Sequence, residues 1–211
     1  MAKCCGNNTK FDGLSDDYKR RLWIVIVLNA VMFLVEMTSG HLAKSQALQA
    51  DALDFFSDAL TYGISLAVIG SSIQVRTNAA LAKGVSLFLI GLWVLGSTVY
   101  HVFFAEVPQA EIMGIVGFFA LITNLASVLL LVSYKDGDAN VRSVWLCSRN
   151  DAIGNVAVII AALSVWGTTS GWPDLIVAAI MATLFLSSAI QIVSQALNER
   201  RESTSTQQER S

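Results

Sequence analysis

Six long apolar stretches alternate with short polar joints along the chain, at about 22–40, 48–73, 81–104, 112–134, 142–166 and 173–195. A bilayer core about 30 Å thick is crossed by roughly 20 apolar helical residues, so each stretch predicts one transmembrane helix. The joints carry helix breakers: Gly40, "RTN" at 76–78, Pro108, "KDGD" at 135–138 and "GTTSGWPD" at 167–174. In the last of these, Ser170 and Asp174 flank Pro173, a pattern that starts helices. The expected fold is an all-α membrane protein of six transmembrane helices. Residues 1–20 form an N-terminal arm, 21–196 the six-span transmembrane domain, and 197–211 a polar tail with too few apolar residues to pack a core, expected to be disordered.

Composition agrees. Of 211 residues, 54% are hydrophobic and 14% charged, against about 25% charged in a soluble domain. The chain lacks the basic surface of a nucleic-acid binder, and its solvent is the lipid bilayer. Three cysteines make no disulfide framework, because Cys4 and Cys5 are adjacent and Cys147 lies in an apolar segment. The polar N-terminus has no signal-peptide pattern. Basic residues set the direction. Lys3, Lys10, Lys19, Arg20 and Arg21 precede the first span, Arg76 and Lys83 bracket the second joint, Lys135 and Arg142 the fourth, and Arg200, Arg201 and Arg210 lie in the tail. The three opposite loops hold only Lys44. By the positive-inside rule both termini are cytoplasmic, in the plasma membrane, or the inner membrane of a bacterial cell.

One segment breaks the apolar pattern. "ADALDFFSDAL" at 50–60 places Asp51, Asp54 and Asp58 inside the second span, where one isolated carboxylate costs about 3 to 10 kcal/mol. At about 100° per residue, Asp54 and Asp58 fall some 40° apart on one helix face with Asp51 between and above them. Like charges so close do not all stay ionised without a cation. The fifth span carries a matching patch, "LCSRNDAIGN" at 146–155, in which Cys147, Asp151 and Asn155 recur every four residues. Spans two and five run antiparallel, so the two stripes can meet at mid-depth. Asp54, Asp58, Cys147 and Asp151 then offer three carboxylates and a sulfur, a set suited to a tetrahedral divalent ion such as Zn²⁺. Asp51, Asn155 and Arg149 are candidates to support that set from behind. For Asp51 and Arg149 a purely structural ion pair is an equal alternative. One arginine cannot neutralise the other three carboxylates. Cys147 alone would be a small buried apolar residue, and its spacing to Asp151 is what makes it a ligand candidate.

These residues give the chain its resemblance to the cation diffusion facilitators, six-span exporters of zinc and similar ions. The family's transport site uses two positions four apart in the second span and two more in the fifth. The matching positions here are Asp54 and Asp58, then Cys147 and Asp151. The contexts "SQALQADALDFFSDALTYGISL" and "CSRNDAIGNVAVIIAA", with Asn29 and Glu36 in the first span, are similar to the family as well. The resemblance covers about residues 20–195. It implies export of Zn²⁺, and of Cd²⁺, in exchange for protons by alternating access, with metal and protons as substrates, no cofactor, no enzymatic activity and a homodimeric assembly. There are two departures. Cys147 stands where the fifth span commonly offers His, and the sequence stops before the metal-binding cytoplasmic domain that most members carry, so a short form is expected.

Other residues have two readings each. His41 and His101 lie near the non-cytoplasmic ends of their spans, as interfacial packing or as an exit-side metal contact. Cys4 and Cys5 are free thiols on the arm or a capture site for cytoplasmic metal. Lys83 resembles a family lysine that pairs with an acidic residue near the C-terminal domain, or simply marks the interface. Ala80, Gly84 and Gly91 allow close packing of the third span, within the chain or on a partner. Two rival functions also fit buried aspartates: an intramembrane aspartyl protease, disfavoured because no Gly-x-Gly-Asp segment is present, and a non-transporting subunit whose carboxylates dock a basic helix.

Overall fold

In the computed structural model the described residues are 15–67, 73–104, 106–136 and 139–208. Ser15 opens the first helix by accepting the backbone N–H of Tyr18 at 3.2 Å, and Asp16 and Asp17 occupy the first turn, where negative charge is favoured. This helix, α1 (Asp16–Ala43), ends at Lys44, whose left-handed φ of 56° turns the chain straight into α2 (Gln46–Ala67). There follow α3 (Ile73–Phe103), α4 (Ala110–Leu131) continued by a 3-10 turn at Val132–Tyr134, α5 (Ala139–Thr168) and α6 (Trp172–Gln208). Among the described residues there is no strand.

Among the described residues, five of the six helices are long and apolar enough to cross a membrane. The exception is α2, long enough at 22 residues but carrying Asp51, Asp54 and Asp58. Its cost in lipid is avoided by enclosure, since α1, α3, α5 and α6 all pack on it. Outward-facing Trp23, Leu34, Trp93, Leu129, Trp166 and Leu184 are exposed and apolar, as contact with lipid requires.

Several boundaries differ from the sequence expectation. "RTN" at 76–78 is inside α3, because polar residues with adequate helix propensity extend a span beyond its apolar stretch. Residues 16–20 of the expected arm are already helical. The stretch expected as a disordered tail from 197 continues α6 to Gln208. Gly40 does not break α1. A Cβ there would meet Gln49 and Leu48 at 3.0–3.1 Å, so the missing side chain lets α2 fold back against α1. Cys4 and Cys5, read as free thiols or a capture site for cytoplasmic metal, lie outside the described residues.

Two apolar clusters close the bundle at its ends. One joins Leu22, Val25, Tyr62, Leu131 and Val144; the other joins Met32, Ala47, Leu48, Phe55, Met113, Val116, Val158 and Val165. On four helices, buried polar residues fall between them: Asn29 on α1, Asp58 on α2, Asn124 and Ser127 on α4, Asn155 on α5. A third cluster joins α2 to α3 and α6 through Ala50, Val94, Ala178 and Phe185.

The start of α2 is held by α6. Asp174 accepts from Ser45 Oγ at 2.6 Å and from the backbone N–H groups of Gln46 and Ala47 at 2.7 and 3.1 Å. A carboxylate in this place satisfies orphan donors and complements the helix dipole. The acidic helix is thereby fixed in height against its neighbours.

Candidate metal-transport site

The acidic stripe of α2 faces inward as its spacing requires. Asp51 is 1% exposed and Asp58 9%, whereas Phe56, between them in sequence, is 40% exposed to the outside. Asp54 is half-buried. One turn beyond Asp58, the fully buried Tyr62 donates its phenolic hydrogen to Asp58 Oδ2 at 2.5 Å. The same hydroxyl stands 3.4 Å from Val144 O and 3.5 Å from Ser148 Oγ on α5.

Helix α5 completes the level. Asp151 lies close to Asp54 and Asp58. The free thiol of Cys147 lies on the side of α5 towards Asp54, Asp58 and Tyr62. The four residues singled out by paired four-residue spacing are therefore neighbours. Among the described residues, no three His, Cys, Asp or Glu side chains are spaced to enclose an ion as they stand. Asp151 Oδ2 is buried with no hydrogen-bond partner. Carboxyls gathered without a basic partner hold either shared protons or a cation.

A second polar chain adjoins the first. Asn124 Nδ2 donates to Asn155 Oδ1 at 2.8 Å, and Asn155 Nδ2 donates to Asp51 Oδ2 at 2.6 Å. Glu36 on α1, fully buried, lies against Asp51 and feels the charge of Asp54. Asp51 and Asn155 thus join the α2 and α5 stripes. Arg149 does not. It is exposed, donates to Asn150 Oδ1 at 3.3 Å and stacks over the Trp145 ring at 5.5 Å. Two residues of helix rotate a side chain by about 200°, so Arg149 points away from the face that carries Asp151. The structural ion pair between Asp51 and Arg149 is absent.

Lys83 turns into the bundle. Its Nζ donates to Ser65 Oγ on α2 at 2.7 Å, and its charge reaches Cys147. The small residues of α3 serve α6 of the same chain: a Cβ on Gly84 would meet Val193 Cγ2 at 2.6 Å, and one on Gly91 would meet Leu186 at 2.9 Å. His41 and His101 line one cavity at the end of the bundle where α1 turns into α2.

Sequence reasoning did not single out Tyr62 or the Asn124–Asn155 link. A signal existed for Tyr62, which continues the 54–58 spacing by four. None existed for the Asn124–Asn155 bond, which depends on how α4 packs against α5.

A helical bundle with apolar outer faces, five of whose described helices are long and apolar enough to cross a membrane, is a polytopic membrane protein. The chain matches the cation efflux transmembrane domain over residues 22–199, and it belongs to that family, the cation diffusion facilitators. It is 26% identical over 194 residues to the metal cation efflux system protein CzcD of Cupriavidus metallidurans, covering 85% of this chain and 61% of that protein. It is 27% identical over 199 residues to the zinc transporter ZitB of Escherichia coli, covering 87% and 63%. A cadmium, cobalt and zinc/H(+)-K(+) antiporter of Bacillus subtilis is 24% identical over 203 residues, covering 88% and 64%. The chain therefore spans less than two thirds of the length of these relatives.

Proposed function

We propose that the protein is a transporter, not an enzyme, that exports Zn²⁺ and Cd²⁺ across the plasma membrane in exchange for protons, with both termini on the cytoplasmic side. Asp54, Asp58, Cys147 and Asp151 are the metal ligands, and Asp51, Asn155 and Asn124 hold the α2 and α5 stripes at one height. Metal efflux is the activity named for the relatives CzcD and ZitB. The observation that carries the assignment is the meeting of the α2 and α5 stripes at a level with no basic partner for Asp54, Asp58 or Asp151 among the described residues.

The chemistry follows from the donors. Desolvated carboxyls and a thiol hold protons until an ion displaces them, so binding a divalent ion releases protons from the same atoms. Releasing the ion on the far side lets those atoms take protons up again, and one site carries both ions in alternation. Tyr62 bears on the first step, because its hydrogen bond occupies Asp58 Oδ2 and its ring belongs to the apolar cluster closing that end. Homodimerisation, where it occurs, uses outward faces of the spans, since Gly84 and Gly91 are already engaged within the chain.

The test is flux in liposomes. Purified protein is reconstituted, a proton gradient is imposed, and Zn²⁺ and Cd²⁺ movement is followed with an entrapped indicator. Saturable metal movement that collapses with the gradient is expected. No metal movement, or movement indifferent to the proton gradient, overturns the proposal.

A further inference from the structure

The end of the bundle opposite the Tyr62 cluster contains a cavity of about 420 Å³, lined by His41, Gln46, Gln49, His101 and Glu106 among others. Its hydrogen bonds fix one imidazole in a defined form. Ser97 Oγ donates to Gln46 Oε1 at 2.7 Å, so the Gln46 amide presents its NH₂ to His101 Nε2, 3.5 Å away. His101 Nδ1 lies 2.8 Å from the Ser97 carbonyl, which can only accept. The hydrogen is therefore assigned to Nδ1, and the lone pair to Nε2, directed at a long contact that is easily given up. An imidazole that donates one ring N–H to a backbone carbonyl and keeps the other nitrogen free is the form in which histidine binds metals.

Two further donors share the cavity. His41 is exposed in the last turn of α1. Glu106 follows α3 and is paired with Lys44. That surface pair is worth at most about 1 kcal/mol, little against the attraction of a divalent ion for the same carboxylate. Among the described residues no three such side chains are grouped to hold an ion as they stand, so the two imidazoles and the carboxylate must swing together within the cavity to bind one.

We propose that His101, His41 and Glu106 form a second, open binding site for imidazole-seeking divalent ions such as Zn²⁺, separate from the carboxylate level. Its place in transport, receiving the ion that leaves the central site, rests on the export proposed above; its existence does not. Lys44 is its stand-in cation, leaving Glu106 when the metal arrives.

The chain has two histidines, and neither belongs to the central site, so any imidazole bound to metal reports this cavity. The experiment is zinc-edge X-ray absorption on untagged full-length protein in lipid nanodiscs loaded with Zn²⁺, alongside Zn²⁺ titration. In the variant Asp58→Ala with Asp151→Ala, two imidazole ligands should persist at full occupancy. His101→Gln should weaken this Zn²⁺ at least tenfold, and Glu106→Gln should weaken it measurably with the imidazoles retained. Absence of imidazole scattering in the Asp58→Ala, Asp151→Ala variant overturns the site. So does a single-imidazole signal indifferent to Glu106→Gln, which would mark adventitious surface binding. Failure of metal flux in liposomes, with the imidazole signal intact, would count against the central transport proposal and leave this site standing.

Discussion

Tyr62 and Asp58, one turn apart on α2, share a 2.5 Å hydrogen bond at the level where α5 brings Asp151 and Cys147. The donor is at the edge of an apolar cluster and the acceptor faces three other potential ligands. A metal ion that takes both oxygens of Asp58 must therefore displace the phenol.

Tyr62→Phe keeps the ring in the cluster and removes only the competing donor. Hydrogen bonds to charged groups are worth about 1.5–3 kcal/mol, and every 1.4 kcal/mol is about tenfold in affinity. Zn²⁺ should bind the variant about tenfold to a hundredfold more tightly in calorimetric titration, with slower turnover because release is harder. Unchanged affinity would mean that the hydrogen bond survives metal loading.

For the ligands themselves the expected effect is loss. Asp58→Ala or Asp151→Ala removes a charged ligand at a depth where water replaces it poorly, so Zn²⁺ flux in liposomes should fall to background while the protein still inserts and purifies. Near-normal flux in either variant would remove that residue from the site.

The helices were legible because lipid selects on composition over some twenty residues, a signal the aspartates of α2 do not erase. The ends were less so. Arg76 and Thr77 read as a joint, and the run from Asn198 to Gln208 as a tail, but both continue helices, because a membrane fixes where a span must be apolar and not where its hydrogen-bond ladder stops. At the site, four-residue spacing revealed Asp54 with Asp58 and Cys147 with Asp151, since i and i+4 share a face. For Arg149 the sequence leaves an ion pair with Asp51 and support of the site as equal readings, and helical phase turns it away from the face of Asp151. The Asn124–Asn155 bond depends on packing between helices, about which a single sequence is silent.

That difference gives a paired test. Asn155→Ala deprives Asp51 of its donor and leaves a buried acceptor beside Glu36, at about 1–3 kcal/mol for an unsatisfied buried group. Its thermal midpoint in detergent should drop by several degrees. Arg149→Gln removes an exposed side chain and should leave the midpoint unchanged, as surface substitutions usually stay within about 0.5 kcal/mol. The reverse order would restore the ion pair with Asp51.

Cys147 decides which ions are preferred. Three carboxylates alone make a hard oxygen site that accepts Mn²⁺ as well as Zn²⁺, whereas one sulfur shifts preference to softer ions. The thiol is free and half-buried, one turn from Asp151 on α5, and in the proposed site it joins the ion that the carboxylates hold. Cys147→Ser should lower Cd²⁺ affinity more than Zn²⁺ or Mn²⁺ affinity, and Cys147→His should preserve Zn²⁺ transport. Because the ion must displace protons from thiol and carboxyl, Cd²⁺ binding should weaken as pH falls and release protons on binding. Titration calorimetry in buffers of different ionisation enthalpy measures both quantities at once. If Cys147→Ser leaves Cd²⁺ affinity and proton release unchanged, the sulfur is not a ligand, and Cys147 belongs with Tyr62 and Val144 in the apolar cluster beside the site.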